Sequence, residues 1–195
     1  MSKLIFYYSV MGSGKTTDVV KTYDIYKRKG LNPLIIKPAI DTRDGHFNGY
    51  GTTKSRITSE EIPAYYAKSL KDELWRLDYG ILIADEAQFF TPEDIYTLSQ
   101  VVDRQNIDVL AYGLKNDVNG HLFPGTKALL ELADDIKEID KVCDEPYCLN
   151  KATHHLRYIN GILDTSSESV AIEKGNITYT SVCRKHWMLA KKEGR

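Results

Sequence analysis

The sequence has few of the residues that staple a chain or break it. It holds three cysteines and six prolines in 195 residues. An odd cysteine count, with no export signal beside it, argues against a disulfide framework and for reduced thiols in the cytoplasm. A dominant charge is also missing. Lys and Arg total 26 against 27 Asp and Glu, a formal net charge of −1. Phosphate backbones and anionic lipids select basic faces, so this balance speaks against a nucleic-acid or membrane partner. No apolar run reaches the roughly 20 residues of a membrane-spanning helix. The first apolar stretch, residues 3–8 (KLIFYY), ends in a glycine-rich turn and not in a small-residue cleavage site. It therefore reads as a buried strand, not a signal peptide. Internal repeats and low-complexity segments are absent. The remainder is ordinary for a globular chain, with 42% apolar and 27% charged residues. Such a chain suits one sizeable domain, or a core domain with a small appendage, and folds without staples.

Along the chain, apolar runs alternate with helical patterns. Residues 3–8 lead through a Gly/Ser-rich turn into a helix over 16–29, closed by Gly30. PLIIK (33–37) reads as a second strand, and GILIA (80–84) as a third. Between them, residues 38–55 show no periodicity and read as a mobile loop, and 69–77 read as a helix with Leu70, Leu74 and Leu77 on one side. Residues 92–104 form an amphipathic helix with Thr91 as N-cap and Pro92 at its first position, followed by a strand at 108–114 (DVLAYGL). This alternation implies βαβ units and a parallel sheet. The character changes near Lys141. From there to Trp187 the chain holds all three cysteines, three of the five histidines and short β-prone runs. The division expected is an α/β core over 1–140 and a small β-rich lobe over 141–195.

Three constellations carry chemistry. The first is S-V-M-G-S-G-K-T, residues Ser9, Val10, Met11, Gly12, Ser13, Gly14, Lys15 and Thr16. It matches the phosphate-loop pattern G-x-x-x-x-G-K-[ST] with Ser9 in place of the first glycine. Gly12 and Gly14 permit the backbone turns that aim amides inward. The loop runs from a strand into a helix N-terminus, where amides and helix dipole favour phosphate. Lys15 is placed to reach the β- and γ-phosphates of ATP, and the Thr16 hydroxyl to ligate Mg²⁺. The second constellation is Asp85-Glu86, at the end of the apolar strand. An acid there holds the phosphate-bound Mg²⁺. Its neighbour points elsewhere, and a kinase needs a base beside the attacking hydroxyl, which makes Glu86 the candidate. The third is Cys143, Cys148, Cys183 and His186, a C-x4-C … C-x2-H set. Two short-spaced pairs around a β-rich insert fit a closed, structural Zn²⁺ site with no open position for catalysis. His154 and His155 lie between the pairs as alternative fourth ligands.

These residues lead to a family. LIFYYSVMGSGKTT, PAIDTRDG, KSRI, DEAQFF, DVLAYGLKNDVNGHLFPG and YTSVCRKHW together resemble the short, zinc-containing class of thymidine kinases, over nearly the whole chain. The resemblance implies a P-loop core like the recombination-type ATPases and a zinc lobe whose long loop closes over the nucleoside as a lasso. It implies transfer of the ATP γ-phosphate to the 5′-hydroxyl of thymidine, in salvage of that nucleoside, with Glu86 as general base. It places Asp85 and Gln88 around nucleotide and Mg²⁺, and Arg43 and Arg56 near the phosphates. Tyr179 matches the tyrosine beside thymine and deoxyribose, Phe89 the aromatic near the base, and Met11 a residue on its methyl side. Main-chain groups of Val170, Ala171, Ile172, Glu173 and Lys174 match the stretch that reads the base. A cytoplasmic homotetramer is implied as well. The chain departs from the pattern at Ser9, at Lys115 where Asp is frequent, at Val118 where an aromatic is usual, and at Ile172-Glu173-Lys174 in place of Ile-Gly-Gly.

Two readings of other classes compete. A P-loop motor acting on nucleic acid requires a basic track with interleaved aromatics, which this near-neutral chain lacks. A non-enzymatic zinc module leaves the phosphate loop and Asp85-Glu86 without a use. Within the kinase reading, the rival is deoxyuridine or a broader deoxynucleoside preference.

Overall fold

The computed structural model describes residues 1–41, 46–54, 60–166 and 176–194. The elements, in chain order, are β1 (Leu4–Ser9), α1 (Lys15–Arg28), β2 (Pro33–Pro38), β3 (His46–Phe47), β4 (Tyr50–Lys54), β5 (Glu61–Ala67), α2 (Leu70–Glu73), β6 (Ile81–Ala84), α3 (Pro92–Gln105), β7 (Val109–Leu114), α4 (Pro124–Leu132), β8 (Asp135–Glu138), β9 (His154–Ile159), β10 (Ile162–Leu163), β11 (Ile177–Val182) and α5 (Arg184–Glu193). Two sheets result. The larger has eight strands in the order β3-β4-β5-β2-β6-β7-β1-β8. Strands β5 through β8 in that order run parallel, and the β3–β4 hairpin is antiparallel. The smaller is an antiparallel sheet, β10-β9-β11. None of the helices among the described residues is long and apolar enough to cross a membrane.

The large sheet is buried on both faces, and strand alternation decides which residue faces which layer. Phe6, Leu82, Ala84, Val109 and Ala111 pack under α3 and α4 with Ile95, Leu98, Val101 and Leu129. Their neighbours Ile35, Ile81, Ile83, Leu110 and Tyr112 pack on the other face against Val19 and Val20 of α1. The α3 apolar residues recur at helical spacing, and its start is fixed by a reciprocal cap. The Asp94 amide donates to Thr91 Oγ1 at 3.1 Å, and the Thr91 amide to Asp94 Oδ2 at 3.1 Å. Asp94 Oδ1 also accepts the Leu70 amide at 2.8 Å, which ties α2 to α3.

The structure corrects several local expectations. Residues 46–54, expected as loop, form the β3–β4 hairpin. The signal was Asn48-Gly49, both with positive φ (51° and 82°), the pair that a tight two-residue turn demands. The helix expected over 69–77 is a single α-turn, α2, followed by a 3-10 turn at Leu74–Arg76. Leu70 and Leu74 still fill the core. Strand β5 (EIPAYYA) was missed although residues 62–67 are an apolar run, and β8 had no such run to announce it. β8 (DIKE) is a mostly exposed edge that pairs β1 in register Ile5↔Asp135.

In the smaller sheet, Leu156 and Val182 join Leu163, Cys143 and Cys183 in an apolar cluster. On the opposite face, Arg157 is fully buried and pairs with Asp164 at 2.6 Å, closing the β9–β10 turn. The sheet with its flanking segments makes the small β-rich lobe.

One glycine fixes how α4 meets the end of β6. A Cβ at Gly125 would lie 2.5 Å from the Phe90 carbonyl oxygen, 2.7 Å from that of Ala87 and 2.9 Å from that of Gln88. These are backbone atoms and cannot swing aside. Gly125→Ala is expected to destabilise the protein by about 1–3 kcal/mol, as overpacking does. A urea midpoint equal to that of the unaltered protein would show that the helix shifts freely.

Candidate active site

Parallel strands deliver their C-terminal ends to one edge, and there the sequence motifs converge. Ser9 ends β1 and pairs with Leu114 at the end of β7, while Ala84 ends β6 beside Ala111, three residues earlier. The phosphate loop leaves β1 and enters α1 at Lys15. Gly12 and Gly14 have φ of 65° and 86°, a left-handed backbone that other residues resist. Lys15 Nζ folds over the loop and donates to the Val10 carbonyl at 2.7 Å. Ser9, the departure from the usual glycine, has a role of its own. It is buried and its hydroxyl donates to the Ile139 carbonyl at 2.5 Å. Beside Ser13 and Gly14 opens a cleft of 440 Å³, lined also by Tyr7, Thr17, Asp18, Lys21 and Lys137.

A second anchorage holds the loop from the lobe. The Met11 carbonyl accepts from Ser181 Oγ at 2.6 Å and from Lys141 Nζ at 3.4 Å. Asp144 Oδ2 accepts in turn from the Ser181 amide at 2.8 Å and pairs with Lys141 at 2.9 Å.

Asp85 and Glu86 sit at the end of β6. Strand alternation puts Asp85 on the α1 face, where it is 2% exposed. Thr53 Oγ1 donates to its Oδ2 at 3.2 Å, and the Glu86 amide to its Oδ1 at 2.9 Å. Burial, and then the neighbouring Glu86 charge, push its carboxyl up to about 6, although buried Lys37 pulls the other way. Lys37 itself pairs with Asp41 at 2.8 Å. Glu86 takes a left-handed backbone, φ 53° and ψ 36°, which residues other than glycine rarely adopt. Gln88 Nε2 donates to Glu86 Oε2 at 2.6 Å while Gln88 Oε1 accepts the Leu114 amide at 3.0 Å. A nearly inaccessible glutamine thus holds the half-buried glutamate against the end of β7. Phe89 packs edge-on to Phe123, ring centroids 5.6 Å apart.

The four expected metal ligands also converge. The ligand atoms of Cys143, Cys148, Cys183 and His186 all lie within 4.8 Å of one another. His186 Nδ1 stands 3.4 Å from Cys143 Sγ and 3.5 Å from Cys183 Sγ. A tetrahedral zinc with ordinary Zn–S and Zn–N bonds spaces such ligands about 3.5 Å apart, so the set fits that ion. The two alternative histidines are engaged elsewhere. His154 stacks on Trp187 at 4.6 Å, and His155 meets Tyr179 edge-on at 6.1 Å. Tyr179 lies on β11, two residues from Ser181. Val118 is buried, and its carbonyl accepts from Trp187 Nε1 at 3.2 Å. Arg43, Arg56, Val170, Ala171, Ile172, Glu173 and Lys174 lie outside the described residues.

With this geometry in hand, comparison with known proteins is decisive. A model of the thymidine kinase family matches residues 2–187. The chain belongs to that family. A thymidine kinase of Legionella pneumophila (strain Lens) is 39% identical over 195 residues, covering 96% of this chain and 90% of its own. A thymidine kinase of Streptococcus pyogenes serotype M3 is 41% identical over 192 residues, covering 96% and 97%. Family membership makes the chain an enzyme, a phosphate-transferring kinase. Sequence reasoning missed Thr53, Lys37 and the Ser181–Lys141 clamp. Lys37 alone left a trace, a charge closing the apolar run PLIIK.

The raised Asp85 carboxyl has a consequence for stability. A folded-state value above the unfolded 3.8 means that this group's contribution is fully present below pH 3.8 and is lost as pH rises through about 6. At pH 7.5 the ligand-free protein carries the charge at a cost. Asp85→Asn should raise the Tm of the ligand-free protein and abolish the further rise caused by Mg²⁺ and ATP. Thermal scans with and without the pair check this, and an unshifted ligand-free Tm would contradict the electrostatic account.

Proposed function

We propose that the chain transfers the γ-phosphate of ATP to the 5′-hydroxyl of thymidine. The observation that carries this reading is the pairing of a phosphate loop with two adjacent acids in different settings. Asp85 is buried beside Thr53, and Glu86 is half-buried and held by Gln88. Asp85, with Thr16 and Gln88, is assigned to the Mg²⁺ and nucleotide side. Asp85, whose proton affinity burial and the Glu86 charge raise, is an oxygen donor suited to a divalent cation. The cation supplies neutralisation of the charge that develops on the phosphates. Residues 9–16 cradle those phosphates, and the cleft beside Ser13 and Gly14 takes the outer part of ATP. Glu86 accepts the proton of the attacking hydroxyl. Met11, Phe89 and Tyr179 are assigned to the acceptor, together with main-chain groups of residues 170–174. Arg43 and Arg56 are assigned to the phosphates. The names of the relatives support thymidine as acceptor. Residues 1–140 are read as the kinase core and 141–195 as the zinc lobe. A cytoplasmic homotetramer rests on family membership alone, and light scattering tests the assembly.

Glu86→Gln keeps the shape and the Gln88 contact but removes the base. It should lower turnover on saturating thymidine by about 10²–10⁴-fold with ATP affinity nearly intact. Near-normal turnover would take Glu86 out of the mechanism. The lobe metal is assigned as structural Zn²⁺, one per chain. Elemental analysis should find it, and chelation should loosen 143–186 and with it the clamp on Met11. Active, folded protein with almost no zinc would overturn that assignment.

A further inference from the structure

Strand β9 carries a buried polar atom that neither the kinase core nor the metal set uses. His155 is 2% exposed, and its Nδ1 has no hydrogen-bond partner among the described residues. An imidazole nitrogen left so costs about 1–3 kcal/mol relative to a satisfied one. The cost points to a partner that arrives with a ligand.

The register of β9 with β11 says where that ligand lies. Ser181 pairs with His155 and Tyr179 with Arg157, so all four share one face of the small sheet. Leu156 and Val182 face the other way, into the apolar cluster beside the cysteines. The first face is turned to the phosphate loop, because the Ser181 hydroxyl bonds the Met11 carbonyl. The imidazole and the Tyr179 phenol stand at 74° to each other, and two such rings make the corner of a slot for a flat, uncharged molecule.

The chemistry of the ring narrows the choice. Burial, followed by the charge of Lys15 and smaller effects of His154 and Arg157, pulls the imidazole down to about 4. At neutral pH it is uncharged and brings one donor and one acceptor, not a cation. A polyphosphate wants cations, and Lys15 is there for it. A neutral nucleoside wants a directional hydrogen bond.

We propose that His155 is a binding residue for the acceptor nucleoside, held through a hydrogen bond at Nδ1. The inference rests on the kinase reading and adds a side-chain contact to it.

Two substitutions test it. His155→Leu fills the volume without a polar atom, and His155→Asn keeps an amide near the Nδ1 position. His155→Leu should raise the thymidine KM about tenfold, the loss of one good hydrogen bond, with kcat and the ATP KM unchanged. His155→Asn should recover most of the loss. In protein labelled with ¹⁵N-histidine, the His155 imidazole resonance should move on adding thymidine and stay in place with ATP alone. A thymidine KM unchanged in His155→Leu overturns the inference, and so does an equal rise in both KM values. Where the variants do not fold, an imidazole resonance indifferent to thymidine overturns it in the unaltered protein. Those results leave the kinase reading intact. Unaltered protein that fails to phosphorylate thymidine overturns both.

Discussion

The carbonyl of Met11 is where the two sheets of the molecule are fastened together. A loop that turns its amides toward a phosphate must turn carbonyls away from it, and those carbonyls need donors. Met11 receives two, from Ser181 and Lys141, and both donors are held by Asp144. Asp144 follows Cys143, and Cys183 lies two residues beyond Ser181. The proposed zinc ligands therefore stand next to the residues that grip the loop. A metal that fixes Cys143 against Cys183 also fixes Asp144 against Ser181. In this way a zinc ion bound as proposed, remote from the chemistry, would brace the phosphate loop. The Ser9 hydroxyl adds a further stitch at Ile139, just before the lobe begins.

The acidic pair works under the opposite condition. Where the Met11 carbonyl has two donors, Asp85 is held in a setting that disfavours its charge. Its burial and its neighbour oppose ionisation, and Lys37 and Thr53 compensate in part. The arrangement stores a repulsion that a cation, bound as proposed, would relieve. Stability is given up at a point where that binding would recover it, a familiar division between folding and function.

What the sequence disclosed follows a physical rule. The phosphate loop was legible because eight contiguous residues carry the whole device. Asp85-Glu86 was legible because an apolar strand pointed at it, and the metal set because cysteine is scarce in this chain. Thr53, Asp144 and Ser181 were not, since their roles exist only across long sequence separations. The Thr53–Asp85 contact spans 32 residues and the Ser181–Met11 contact 170. A threonine in a short strand or a serine near a cysteine has many bland explanations. The β3–β4 hairpin was a different kind of miss, because Asn48-Gly49 declared it locally. Edge strand β8 was silent, since an exposed strand needs no apolar run. The short α2 shows the limit of periodicity, where spaced leucines fill a core without sustaining a helix.

The 170-residue reach from Met11 to Ser181 also bears on how the protein is born. The phosphate loop is synthesised 170 residues before the serine that braces it. While those residues are added, the core has its strand, its glycines and its lysine, but not the serine that braces the loop. A ribosome-tethered chain therefore acquires its parts long before it acquires a completed nucleotide site. A chain cut short before Ser181 keeps every residue of the phosphate loop but lacks the hydroxyl that braces the Met11 carbonyl.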